Sequence, residues 1–353
     1  MRPQTISRVI RQALTLLIAP VLALMPQRVS LRLLERAVIR NQARDALADL
    51  PDGIHVLLCG AGGPLPDINR SGPCVAVQAG RHLYVIDAGT NGARNLGRFG
   101  VSVGRVEALL LTHAHSDHID GLGELGVLRW VTSGSEQPLP VHGPSVVEDV
   151  VTGFNRAYAA DAAYRTAHHG TEIAPPNGCG LNATPFSMPE DSELQLVLEN
   201  DDGVRISAFS VSHAPVCEAV GYRIDYRGRA IVVSGDTAYS ENLVRQAQGV
   251  DLLVHDALAN SMTERIATAA ESTGNTRAAR IMRDVPSYHA TPVQAARAAA
   301  EAGARQLLLY HIVPALPSAA FERVFLDGVR NVYDGQVTLG RDGTLISLPA
   351  DQG

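Results

Sequence analysis

At 353 residues, 46% of them hydrophobic, the chain is long enough for one large domain or two ordinary ones around a substantial core, which excludes a disordered polypeptide. A formal charge of −6 offers no broad positive field to a polyanion, so nucleic acid is not the expected partner. Four cysteines, Cys59, Cys74, Cys179 and Cys217, show neither CxxC nor zinc-ribbon spacing and read as small buried residues, with a Cys59 to Cys74 disulfide left open.

The N-terminus carries an address. "MRPQTISRVIRQ" holds Arg2, Arg8 and Arg11 with no acid, and residues 13–25 are uncharged and apolar, the plan of a secretory signal. Thirteen residues fall short of the roughly 20 that a spanning helix needs. Residues 30–50 then interleave arginine with leucine, as in a helix lying on a membrane surface; a plain helix packed on the domain is the rival. Residues 1–50 are therefore set apart as a signal- or anchor-like amphipathic helical segment from one domain over 51–353. The expectation is an exported, periplasmic protein or one tethered to the inner membrane.

From residue 51 the chain opens with strand-like runs bounded by Gly, Pro and Asn: "GIHVLLCG", "PCVAVQAG" and "HLYVIDAG". "VEALLLTH" (106–113) reads as a buried strand, and helices are predicted over "GLGELGVLRWVTSG" and residues 145–167. The Pro- and Gly-rich stretch 171–193 reads as a long loop, of a length often used for a lid. Beyond it the plan repeats without the sequence. "RISAFSVSH", "AVGYRIDYRG", "RAIVVSGD", "VDLLVHDA" and "RQLLLYH" are strands, and residues 291–304 form a helix with Thr291 as N-cap and Pro292 at its first position. Strands and helices in both halves imply two sheets inside and helices outside.

Five apolar runs stop at a histidine or aspartate, at His113, His213, Asp236, His255 and His311. One such residue is ordinarily a hydrogen-bonded cap; five sharing residue type point to convergence on one site. In "THAHSDHIDG", strand alternation would point His113 and His115 to one side, where both can meet one ion, while Asp117 and His118 turn with the loop toward a second. Asp236 in "SGDT" suits a bridging carboxylate, because Gly235 lets the backbone come close, and His213 and His311 complete the two shells.

With "THAHSDHIDGL", "SHAPVCEAVGYRI", "SGDT", "VHDA" and "HATPVQAARAAAEAGARQLLLYH" in order over roughly residues 54–345, the chain resembles the metallo-β-lactamase superfamily, and within it the ribonuclease Z and aryl-sulfatase-like branch. The resemblance implies an αββα four-layer sandwich (metallo-β-lactamase fold, α/β class) preceded by an N-terminal helical extension. It implies two zinc ions, with manganese or iron as substitutes. His113, His115 and His213 would hold one, Asp117, His118 and His311 the other, and Asp236 both. "VIDAG" would make Asp87 a support beneath the metal loop. Asp117 also counts among the catalytic residues with His289 of "YHATP", which is similar to the histidine that protonates the leaving group in ribonuclease Z; capping of the following helix is its alternative reading.

Two departures bear on substrate. His255 and Asp256 stand where ribonuclease Z has His-Glu-Ala, one methylene shorter. Residues 143–193 contain no lysine and two arginines, Arg156 and Arg165, where an RNA enzyme would present a basic arm. His168 and His169 read as C-terminal helix caps with pocket lining as the alternative, and Cys217 as a buried thiol near a ligand. The reading is a di-zinc hydrolase cleaving a phosphodiester or sulfate ester of a small molecule. Its alternatives are a ribonuclease Z-like endoribonuclease, a lactone or β-lactam hydrolase, and a non-catalytic metal-binding sensor. Expected partners are a small ester, a membrane surface through residues 1–50, and, left open, a second copy of the chain.

Overall fold

The computed structural model describes residues 27–42 and 45–350, and the chain divides into two compact units, Met1–Asp49 and Leu50–Gly353. The signal-like reading of residues 1–25 lies outside the described residues. In the first unit Gln27–Gln42 is a helix, whereas residues 46–49 of the amphipathic stretch expected over 30–50 form turns, and Leu31, Leu34 and Val38 share an exposed face of the helix. Among the described residues no helix is long and apolar enough to cross a membrane.

The second unit packs two seven-stranded sheets face to face. In the first, β1 (Gly53–Gly60), β2 (Cys74–Ala79) and β3 (His82–Ile86) run antiparallel, and β4 (Val106–Leu110), β5 (Leu139–Gly143) and β6 (Leu181–Pro185) continue in parallel. Helices Leu122–Ser133 and Val147–His169 make the crossovers that parallel pairing needs. In the second, β7 (Gln195–Glu199), β8 (Arg205–Ser210), β9 (Val220–Tyr226) and β10 (Arg229–Val233) are antiparallel, and β11 (Leu252–Leu258), β12 (Gln306–Val313) and β13 (Gln336–Leu339) follow in parallel. The last strand, β14 (Leu345–Pro349), crosses back to pair with β1. This is the expected αββα sandwich.

The strands nearest the sheet centres read as unbroken apolar runs because both their faces are covered. In β12, Leu308 and Tyr310 face the other sheet beside Val56, Tyr84, Tyr222 and Val254, whereas Leu307 and Leu309 face outward to Ala295, Ala296 and Ala299. Those alanines line helix Pro292–Glu301, which starts where predicted: Thr291 accepts from Gln294 N at 3.1 Å, and Gln294 returns the bond to Thr291 N at 2.8 Å.

Three expectations are corrected. Residues 171–193 do not form one long lid-like loop: they contain β6, the outer strand of the first sheet, and Phe186 and Met188 pack on the core. The strand predicted over 106–113 ends at Leu110, because Thr112 N bonds the Asp87 side chain and Thr112 O takes Val220 N from the facing sheet. Of the cysteines, Cys59 and Cys74 form a disulfide between β1 and β2, and Cys217 is exposed instead of buried. The sequence reading assigned nothing to 260–284, where helices Asn260–Ser272 and Thr276–Asp284 form a packed pair.

Candidate metal centre

Four of the five polar residues that close apolar runs, His113, His213, Asp236 and His311, gather at one edge of the sandwich, whereas His255 lies inside β11, which runs on to Leu258. His113 and His115 lie in the loop beyond β4, so strand alternation does not explain their pairing. The loop turns them toward one another, rings edge to face, with His113 Nε2 2.9 Å from His115 Nδ1. Asp117 and His118 ride on the short helix Ser116–Ile119.

What shapes this loop is a second loop beneath it. Ala88 N donates to His118 O at 2.8 Å and Gly121 N to Ala88 O at 2.7 Å, clasping residues 118–121 onto 87–89. A Cβ on Gly89 would come within 2.4 Å of Asp117 O, so only glycine permits the approach. Asp87, at φ 56°, is the buried peg between them. It accepts from Thr112 N at 2.9 Å, from Thr112 Oγ1 at 2.9 Å, and from His118 Nδ1 at 2.8 Å. The last bond leaves His118 Nε2 aimed at Asp236 Oδ2, 3.2 Å away.

The other ligands are oriented in the same way. His213 Nδ1 donates to Tyr288 O at 2.9 Å, freeing its Nε2, which lies 3.3 Å from His115 Nδ1. Gly235 turns at φ 64° against Val220 and Thr112, where a Cβ would lie 2.7 Å from Val220 O, and so delivers Asp236 to the edge. His311 is produced by an irregularity. Asp256 pairs with Tyr310 and Ala257 with Ile312, so His311 is the extra residue of a β-bulge, at φ 45°, turned out of the ladder.

Two donor sets result, sharing Asp236: His113, His115, His213 and Asp236 form one, and Asp117, His118 and His311 form the other. Asp236 Oδ2 lies 3.2 Å from both His118 Nε2 and His311 Nε2, 3.9 Å from His113 Nε2 and 4.0 Å from His213 Nε2. His311 Nε2 is 3.3 Å from Asp117 Oδ2. Tetrahedral coordination with bonds of about 2.0 Å places neighbouring donors about 3.3 Å apart, which the 3.2–3.3 Å spacings of His118 and His311 to Asp236 and of His311 to Asp117 match, while His113 and His213 stand farther from Asp236 at 3.9 and 4.0 Å. Asp236 Oδ1 is buried without a hydrogen-bond partner, a costly arrangement for a carboxylate unless a cation lies against it. The residues thus fit two zinc ions.

The electrostatics are those of a site awaiting a cation: against burial, Asp236 and Asp87 raise His118 and Asp236 and Asp117 raise His311, so binding an ion there would displace protons. Burial alone would raise the Asp236 carboxyl, but His311 and His118 hold it well below the usual carboxylate range. Burial, reinforced by the neighbouring His118, keeps His113 well below the ordinary imidazole value, the neutral form a metal requires.

His289 stands beside this set, its ligand atom within 4.8 Å of those of Asp236 and His311. Its Nδ1 donates to Asp256 Oδ2 at 3.0 Å, so the shorter carboxylate still reaches it. His255, which supports Asp256 and no metal ligand, contacts that carboxylate at 3.0 Å. His168 and His169 are exposed at the C-terminus of helix Val147–His169, away from the site-lining residues.

Two cavities meet at Asp117 and Ser116. One, of about 240 Å³, runs over the metal set and is walled by Leu65, Leu258, Ile281, Met282, Val285 and Tyr288. The other, of about 580 Å³, shares Leu65 with it and is bounded further by Pro66, Ile68, Ser71, Thr90, Asn91 and Asp120. None of these wall residues was singled out from sequence. Tyr288 adjoins His289, and Ile281, Met282 and Val285 form an i, i+1, i+4 patch leading into "YHATP", which is the signal that could have marked them.

Comparison with known proteins identifies relatives of the chain and of its fold. The profile of the beta-lactamase superfamily domain matches residues 82–312. A protein named ribonuclease Z from Mycobacterium avium is 34% identical over 291 residues, 82% of this chain and 96% of its own length. Another of that name, from Mycolicibacterium gilvum, is 33% identical over 82% of this chain and 94% of its own. Among solved structures, the short form of human tRNase Z superposes with a TM-score of 0.60 at 20% identity, covering 84% of this chain and 99% of that one. The metallo-β-lactamase fold protein YhfI of Bacillus subtilis gives 0.60 at 21% identity over 84% and 99%.

Proposed function

This chain belongs to the metallo-β-lactamase superfamily, in its ribonuclease Z-like branch, and we propose that it works there as a two-metal hydrolase of a small phosphodiester. The observation that carries the proposal is Asp236, set between a three-histidine cluster and an Asp-His-His cluster with Oδ2 at 3.2–4.0 Å from four imidazoles. Two zinc ions held there would supply a water of lowered pKa and polarise the phosphoryl oxygens. The protein's own part begins with Asp117, which opens to both cavities and orients the attacking water. His289, fixed by Asp256 through Nδ1, gives a proton from Nε2 to the departing oxygen.

A small substrate is favoured by what the walls lack. Arg70 is the one basic side chain among the residues lining the two cavities, and its guanidinium is enclosed and paired with Asp67 and Glu322 at 3.2 Å each. Asp67 is spent on that pairing, and the carboxylate left open on the larger cavity, Asp120, is exposed and offers nothing to the serial phosphates of RNA. An endoribonuclease is the second reading, favoured by the 34% identity to the mycobacterial protein of that name. A sulfate ester, a lactone or a β-lactam is a further arm of the test.

The experiment loads the chain with zinc and compares bis(p-nitrophenyl) phosphate, p-nitrophenyl sulfate, a lactone, a β-lactam and a 3′-extended transfer-RNA precursor, with Asp236→Ala as control. Turnover of the diester, lost in the control, is the expected result. Cleavage of the RNA alone selects the second reading, and zinc binding with no turnover on any substrate selects a sensor. We assign the protein to an exported location, because the Cys59–Cys74 disulfide suits an oxidising compartment. Arg32 and Arg36 beside the exposed Leu31, Leu34 and Val38 suit an anionic membrane surface. Fractionation of tagged cells tests both, and recovery in the cytosol refutes them.

A further inference from the structure

The proton donor and the apolar wall share one cavity. His289 lines the same space of about 240 Å³ as Leu258, Ile281, Met282, Val285 and Tyr288, and its free Nε2 belongs to that space because Nδ1 is committed to Asp256. Leu65, from the connection between β1 and β2, joins the wall by packing with Met282, Ala267 and Ala279 of the helix pair and also lines the larger cavity. Apart from the Tyr288 hydroxyl, every ionisable group on this wall is a metal ligand or His289 itself. Ile281 is 54% exposed, and a single exposed isoleucine needs no explanation, but here it joins Pro64, Leu65, Leu258, Met282, Val285 and Val313 around a proton donor.

Whatever oxygen His289 protonates is the oxygen that leaves, so the group attached to it occupies this cavity. On the premise of the phosphodiesterase reading above, we infer that the alcohol expelled is apolar, an aryl or short alkyl alcohol, and that the rest of the substrate is polar. The larger cavity across Asp117 receives that remainder: beside Pro64, Leu65, Pro66 and Ile68, its Ser71, Thr90, Asn91 and exposed Asp120 offer hydroxyl, amide and carboxylate groups suited to a hydroxylated or cationic moiety. In the reaction, water oxygen forms the new bond to phosphorus and the bond from phosphorus to the alcohol oxygen breaks with its electron pair on oxygen. His289 supplies that oxygen's proton and regains one from the water. The products are a polar phosphomonoester and an apolar alcohol.

The test uses the full chain loaded with zinc and two methyl aryl phosphates whose leaving phenols match in acidity and size, 4-propylphenol and 4-(2-hydroxyethyl)phenol. The propyl ester is expected to have kcat/KM about tenfold or more higher, from burial of the extra apolar surface. Ile281→Asp erases this ratio and Ile281→Leu restores it, with zinc content as the control for folding. Calorimetry with the two corresponding benzylphosphonates reads the same preference without turnover. Equal binding of the two phosphonates overturns the inference. A tenfold tighter apolar phosphonate with neither ester hydrolysed upholds the apolar cavity and overturns the phosphodiesterase reading instead.

Discussion

Asp87→Asn isolates the contribution of a residue that touches no proposed ion. The substitution is nearly isosteric, and asparagine tolerates the left-handed backbone that Asp87 adopts at φ 56°, so local strain is not introduced. One amide oxygen can still accept from Thr112 N at 2.9 Å, but the amide nitrogen that replaces Oδ2 cannot accept from His118 Nδ1 at 2.8 Å. His118 must then turn or shift its proton to Nε2, the atom that faces Asp236. A hydrogen bond to a charged group is worth about 1.5–3 kcal/mol, which converts to roughly 10–100-fold weaker binding at the ion served by Asp117, His118 and His311. Zinc titration against a chromophoric chelator reads the two sites separately. The tightest site should keep its affinity if it is the three-histidine set, while the other weakens by that factor. Two zinc ions bound by Asp87→Asn as tightly as by the parent would refute the orienting role.

The remaining expectations concern acid, charge and metal. His289→Ala should lower kcat on alkyl phosphodiesters by about 100-fold or more and spare p-nitrophenyl esters, whose leaving group needs no proton; equal losses would remove its acid role. Removing zinc with a chelator should lower the midpoint of thermal unfolding by about 4 °C for each ion that was present at about a hundredfold its Kd, since it binds only the folded chain. His82 joins the two sheets through Glu107 at 2.9 Å and Asp202 at 2.7 Å. Burial lowers its pKa, but the hydrogen bonds to Asp202 and Glu107 prevail and raise it. Its stabilisation is therefore complete below the unfolded value near 6.5 and lost as pH climbs through the raised folded value. His82→Gln should lose up to about 1 kcal/mol at pH 6 relative to the parent and nothing at pH 9, and a pH-independent difference would contradict this.

The sequence by itself determined the candidate ligands. Metal coordination demands nitrogen and oxygen donors regardless of context, so His113, His115, Asp117, His118, His213, Asp236 and His311 stand out by residue type against apolar runs. The two-sheet architecture was equally legible, because strands covered on both faces are apolar throughout and the helix at 292–301 carries its own cap. Only the tertiary structure decided how the donors meet. His311 reaches the site through a bulge in the ladder with β11, and His118 through a carboxylate 31 residues away, neither of which leaves a periodic mark. The apolar cavity escaped notice for the same reason: Leu65, Leu258 and Ile281 are ordinary residues in sequence and become a wall only when three distant segments pack together. Residue chemistry is local and can be read along the chain, whereas the shape of the space around it depends on contacts between segments far apart.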